Sequence, residues 1–185
     1  MVETHTFVVY VEDRPGVLNR VASLFRRRAF NIESLTVGHT ERAGVSRMTI
    51  AVKADRTGAQ RIEAHLYKLV NVINVEDITS TPSVLRDLAM IKVAATQESR
   101  SDIMQLVDVF RARVVDVAPD SLIIEITGTE DKIDSLLEVL RPYGVIEMVR
   151  TGRVAITRGT KNGSSGLAVR PPASPSDEAK VSYSV

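Results

Sequence analysis

The sequence predicts an α+β chain made of two tandem domains, each ordered strand-helix-strand-strand-helix-strand, followed by a disordered tail. Three observations predict this. Short runs of β-branched and aromatic residues alternate with apolar stripes at helical spacing. The same six-element order occurs twice, each time over roughly 75 residues. After about Gly159 the apolar period stops and Gly, Ser and Pro take over. The expected limits are 1–79 for the first domain, 84–158 for the second and 159–185 for the tail.

In the first domain, Thr6 to Val11 (TFVVYV) reads as a strand with both faces largely buried. From Val17 the apolar residues Val17, Leu18, Val21, Leu24 and Phe25 fall on one helical stripe. Arg26, Arg27 and Arg28 suit its last turn, where cations meet the negative end of the helix dipole. Asn31 to Thr40 is a second strand. Ser46 to Val52 is a third, with Met48, Ile50 and Val52 on one face and Arg47 and Thr49 on the other, the alternation of a sheet with one face on a core. The ERAG segment ending in Gly44 suits the hairpin between them. Ile62, Leu66 and Leu69 make a second helical stripe, and Val72 to Ile78 is the fourth strand.

Thr79 to Ser83 is a polar connector, after which the order repeats. Leu88 to Ala95 is a strand, and Ile103, Leu106, Val107 and Phe110 form a helical stripe. RVVDV (113–117) and SLIIEITG (121–128) are strands joined through a turn at Pro119. Ile133, Leu136, Leu137 and Leu140 form another stripe, ended by Pro142, and GVIEMVRT (144–151) is the last strand. Each unit can pack its two helices on its own four-stranded sheet, the ferredoxin-like arrangement. Domains this small bury a limited share of their surface and keep free sheet edges and one uncovered face. Val9 or Leu35 would lie on that face, depending on register, and a homo-oligomer is expected.

Composition excludes several classes. A net charge of +1 over 185 residues gives no electrostatic argument for nucleic acid or an anionic membrane. Cysteine is absent, so there is no disulfide or thiolate chemistry. No apolar run approaches the ~18 residues that span a bilayer, and the N-terminus does not read as a signal peptide. The expectation is a soluble, cytoplasmic protein. His5, His39 and His65 form no metal-ligand pattern. No Walker loop or G-x-S-x-G elbow occurs. The adjacent carboxylates Glu12 and Asp13 have no nucleophile near them. The order of elements is shared with RNA-recognition modules, but Phe7 and Tyr10 would point to opposite faces of their strand and aromatics are only 4% of the chain.

The stretch Asp13-Arg14-Pro15-Gly16-Val17-Leu18 joins the first strand to the first helix. One reading is purely structural: Asp13 caps the helix, Pro15 occupies its first position and Gly16 relieves a tight backbone. The other uses the same atoms as a binding site. Free N–H groups at a helix start suit a carboxylate, Gly16 lets a ligand approach the backbone, and Asp13 could receive an ammonium group. Asn31, at the start of the second strand, could be brought near this turn and offers both a donor and an acceptor. With Val17, Leu18 and Ile32 as an apolar wall, these parts suit a free amino acid. Local chemistry leaves cap and site equally open.

The segments VEDRPGVLNRVASLFRRRAFNIESLTVGHTE, SRMTIAV and LYKLVNVINVED resemble the small, regulatory subunit of acetolactate synthase (acetohydroxyacid synthase). LAMIKVAA, FRARVVDVAPDSLIIEITG and GVIEMVRTGRVAITRG extend the resemblance to roughly residues 4–160. FNIESLTVG and SRMTI are its most specific parts; the D-x-P-G-x-L turn is shared by many ACT domains. The resemblance implies an N-terminal ACT domain, a C-terminal ACT-like domain and no catalytic role. A separate catalytic subunit would hold thiamine diphosphate, Mg²⁺ and FAD, and this chain would activate it and confer feedback inhibition by valine or another branched-chain amino acid. The effector would lie between the ACT domains of a homodimer, at Asp13, Arg14, Pro15, Gly16, Val17, Leu18, Asn31 and Ile32. Some family members carry Asn where this chain has Asp13, and Asn can donate to a carboxylate whereas Asp cannot. The alternative is a free-standing ACT-type amino acid sensor acting on another enzyme or regulator.

Overall fold

The computed structural model describes residues 2–159; the expected tail from 160 onward lies outside the described residues. The chain divides into two compact units with its main boundary between Ser80 and Thr81; Ser34–Thr36 group with the second unit and Gly159 with the first.

In the first unit the elements are β1 (Glu3–Glu12), α1 (Val17–Arg27), β2 (Ile32–His39), β3 (Val45–Ala54), α2 (Arg56–Leu66) and β4 (Val72–Asp77). The sheet order is β2-β3-β1-β4, with β1 antiparallel to both neighbours. Phe7 and Val9 stand opposite Ile50 and Met48 in register, and all four are buried with Val21, Phe25, Ile62 and Leu66 of the two helices. The apolar stripe of α1 thus buries Val17, Val21, Leu24 and Phe25, while Leu18 stays exposed. Asp55 caps α2 by accepting from the Gly58 N–H at 2.7 Å.

Several expectations change here. Val9 lies on the helix-covered face rather than the open one, because its register partners are Met48 and Val75. Strand β3 is not one-sided: Thr49 and Ala51 are buried as well as Met48, Ile50 and Val52, being short side chains set opposite Val8 and Thr6 at the centre of the sheet. Leu69 lies beyond the end of α2, in the turn that leads to β4. Phe7 is fully buried, which removes it as a base-stacking platform. His5 is buried too, its Nδ1 2.9 Å from Asp77 Oδ2.

The second unit comprises β5 (Ser83–Ala94), α3 (Arg100–Val109), β6 (Arg113–Val117), β7 (Ser121–Gly128), α4 (Glu130–Leu140), β8 (Val145–Arg150) and β9 (Val154–Thr157). The path β6-β7-β5-β8 repeats the order of the first sheet, and β9 pairs with the first residues of β5. Strand β5 therefore starts at Ser83, not Leu88: Ser83 to Arg86 gain a ladder with Val154 to Thr157, a strand that short polar-flanked residues did not announce. Pro142 ends α4 as expected, through a 3-10 turn at Arg141–Tyr143. The core collects Ile91, Val93, Ile103, Val107, Leu122, Ile124, Ile133 and Leu136.

Candidate effector site

The junction between β1 and α1 is a type II turn. Gly16 has φ 81° and ψ −7°, the values of the third residue of that turn, Pro15 precedes it, and the Val17 N–H reaches back to the Arg14 carbonyl at 3.4 Å. Gly16 then accepts the first helical bond, from the Arg20 N–H at 3.0 Å. Pro15 therefore stands outside the helix, and its fixed φ serves the turn. A β-carbon on Gly16 would meet nothing within 4 Å, so space is open there and only the positive φ restricts the position to glycine.

Asp13 does not cap α1. The helix has no side-chain cap, and the Asp13 carboxylate instead accepts from Ser46 Oγ at 3.2 Å and lies 3.3 Å from His39 Nδ1. Its own N–H donates to the Gly44 carbonyl at 2.9 Å, which ties the turn to the β2–β3 hairpin. Among the described residues the N–H groups of Leu18 and Asn19 have no partner, as the first turn of an uncapped helix leaves them. The capping half of the structural reading is thus replaced, and an open set of donors remains beside a carboxylate.

The arrangement has residues that the sequence reading missed. Asn71, buried just before β4, accepts from Arg20 at 2.7 Å and donates to Glu12 Oε2 at 2.7 Å, while the Glu12 N–H donates to the Asn71 carbonyl at 2.9 Å. Arg14 Nε lies 3.5 Å from the same Glu12 oxygen. This chain fixes the first turn of α1 to the end of β1 and start of β4. Its only sequence signal is a polar residue between apolar Val70 and Val72, too weak to identify the contact.

Of the predicted site residues, Asp13, Arg14, Pro15, Gly16, Val17 and Leu18 come together. Val17 is only 5% exposed and belongs to the core, whereas Leu18 is 45% exposed and can border a ligand. Asn31 and Ile32 do not join them within one chain. The β1–β3 register sets Glu12 against Val45 and Thr4 against Lys53. The hairpin end of β2 is tied to Val45 through the Thr40 N–H, while Lys53 lies 3.5 Å from Glu33 near the start of β2. Asn31 therefore sits at the opposite end of the sheet from Asp13, roughly 25 Å away by strand rise. There its amide donates to Glu33 at 3.1 Å. The expectation that strand order alone would bring Asn31 to the turn fails because α1 carries the chain back along the full length of the sheet.

No group of side chains among the described residues could hold a metal ion, and no described helix is long and apolar enough to cross a membrane. What remains at the turn is a set of complementary charges: unpaired N–H donors, a carboxylate, two guanidinium groups and open space over a glycine. Such a set can hold a zwitterion.

Comparison with known proteins agrees with both units. Residues 7–74 match the family model described as the AHAS small subunit-like ACT domain, and residues 86–159 match that of the small subunit of acetolactate synthase. The acetolactate synthase small subunit of Mycobacterium bovis is 50% identical over 159 residues, covering 86% of this chain and 95% of the relative. That of Mycobacterium leprae is 51% identical over 158 residues, covering 85% and 94%. The crystal structure of the small subunit from Thermotoga maritima superposes with a TM-score of 0.80 at 40% identity, covering 85% of this chain and 99% of that one.

Proposed function

The chain belongs to the family of acetolactate synthase small subunits, and on that premise we propose that it activates the catalytic subunit and confers feedback inhibition by valine or another branched-chain amino acid. It is a regulatory subunit whose partner is the catalytic subunit. In this reading the condensation of 2-oxo acids, with thiamine diphosphate, Mg²⁺ and FAD, takes place on that partner in the cytoplasm, and this chain carries no cofactor.

The observation that supports the effector site best is the uncapped turn at Arg14 to Val17, with free N–H groups at Leu18 and Asn19 beside the Asp13 carboxylate. The N–H groups take the effector carboxylate, and the oxygens of Asp13 take its ammonium group. Since Asn31 and Ile32 lie at the far end of the same sheet, they reach the effector from a second protomer. The site is then complete only in a homodimer formed through the ACT domains. Valine bridges the protomers, and bound and free dimers present different surfaces to the catalytic subunit. The effector shifts that equilibrium only by its differential affinity for the two states.

Acetolactate formation by the catalytic subunit, measured with and without this chain across a valine titration, tests the function. Activation together with valine-dependent inhibition is expected; no effect on rate would overturn it. The shared site has its own test. Gly16→Asp and Asn31→Ala chains each lose most inhibition alone. Co-refolded as a mixture they regain part of it, because a mixed dimer has one site with both defects and one with neither. Absence of any recovery, with mixed dimers demonstrated, would place both residues' roles within one protomer.

A further inference from the structure

The C-terminal ends of α1 and α2 converge on a cleft of about 350 Å³. Leu24 and Leu69 give it an apolar base, and Arg27, Arg28, His65 and Lys68 line the rest. Arg27 and Arg28 come from the end of α1, and Lys68 from the turn after α2. Arg61, on α2, is close enough to act on His65 electrostatically.

These four cations gather about one cleft with no acidic partner among them. Among the described residues, Arg27, Arg28, Arg61 and Lys68 make neither an ion pair nor a side-chain hydrogen bond, and Glu63 on the same stretch of α2 pairs with none of them. Arg20, Arg113 and Arg150 are bound to oxygens of neighbouring side chains, whereas Arg141 and Arg158, which stand singly, also have no such partner among the described residues. Helix dipoles do not account for the surplus. Each helix C-terminus carries about half a negative charge, so two of them offset about one of the four positive charges. The His65 imidazole registers what is left: partial burial first, then the charges of Arg28, Lys68 and Arg61, hold its pKa below the ordinary value.

We propose that this cleft is a binding site for a small, multiply charged oxyanion of the phosphate type. All the charged groups that line it are donors, and guanidinium forks match the geometry of tetrahedral oxyanions. The volume falls at the lower end of small-ligand pockets, about 300 Å³ and upward. The charge count selects the ligand class. A zwitterionic amino acid would bring its ammonium group into a ring of cations, so this is not a second effector site. A monocarboxylate would leave most of the surplus uncompensated. An ion with several negative charges matches it and leaves the apolar base for whatever group the phosphate is attached to.

Binding is also coupled to His65. An anion among these groups favours the charged imidazole and raises its pKa, so by linkage the complex takes up a proton and tightens as pH falls through that range. The charged groups facing the ring are Arg28 from α1 and Arg61 and Lys68 from α2 and its following turn.

Calorimetric titration of the full chain with tripolyphosphate, in a buffer free of phosphate and at two salt concentrations, tests the site. One ion per chain is expected, with affinity falling as salt rises. Arg28→Gln with Lys68→Gln should weaken it at least tenfold. Arg141→Gln with Arg158→Gln, the same change of net charge at exposed positions of the second unit, should leave it unaltered. In NMR spectra the His65 ring resonances should move on addition of the ion, with a raised titration midpoint. No binding to the wild-type chain, equal losses in the two double variants, or an unmoved His65 would each overturn the proposal.

Discussion

The two units share one order of elements but hold the same junction in different ways. In the first, the strand passes to its helix through Asp13-Arg14-Pro15-Gly16, a type II turn with no side-chain cap and unpaired N–H groups. In the second, β5 passes to α3 through Thr96-Gln97-Glu98-Ser99, a loop closed by its own side chains, although α3 too has no side-chain cap. The Thr96 N–H donates to Ser99 Oγ at 3.0 Å, the Ser99 N–H donates to Thr96 Oγ1 at 3.2 Å, and the Arg100 guanidinium donates to the carbonyls of Ala118 at 2.7 Å and Pro119 at 3.0 Å. One topology thus yields a Pro-Gly turn tied to a neighbouring hairpin in one copy and a turn closed by its own side chains in the other, while both helices start without a side-chain cap.

Three perturbations break or sharpen this contrast, the largest first. The cores should be equivalent even though the turns are not. Ile50 and Ile124 are both fully buried, so Ile50→Ala and Ile124→Ala should each cost ~2–5 kcal/mol in denaturant unfolding. A loss near zero in one unit would show that the two copies are not packed alike. Next, Gly16→Asp places a negative charge where the effector carboxylate is to bind. The valine inhibition constant should rise about 100-fold, or ~2.7 kcal/mol, while the strain of a positive φ costs about 1–2 kcal/mol in stability. Gly16→Ala bears a similar strain without the charge and should retain more inhibition, since a β-carbon there meets no neighbour. Equal inhibition profiles for wild type and Gly16→Asp would remove the turn from the site. Smallest is Arg100→Ala, which strips the second unit's turn of its guanidinium and should cost ~1–3 kcal/mol with no change in valine response. A shifted valine response would mean that the closed turn also takes part in regulation.

How much of this was legible depended on the range of the interaction. The apolar stripes placed both helices of each unit, since Val21, Leu24 and Phe25 or Ile133, Leu136 and Leu140 mark a buried helical face through spacing alone. Strands β6 and β7 coincide with their expected limits for the same reason. Strand β9 and the first residues of β5 were not legible, because each is a strand only by pairing with the other. The turn was located by Pro15 and Gly16, but its donors' fate was not: Asp13 could have capped α1, and only the approach of Ser46 and His39 decided otherwise. Asn71 gave almost no signal, because its partners Glu12 and Arg20 are more than fifty positions away.

The sequence by itself determined what repeats and what is local: two α+β units, their helical faces, the Pro-Gly turn and the family to which the chain belongs. These follow from periodicity and from residue types whose backbone limits act within a few positions. The tertiary structure decided what depends on register. It set Asp13 against Ser46 rather than its own helix, carried Asn31 to the other end of the sheet, and gathered Arg27, Arg28 and Lys68 around one cleft at the ends of α1 and α2. Such placements depend on how strands pair and helices pack, because side chains distant in sequence meet only after the core has fixed both.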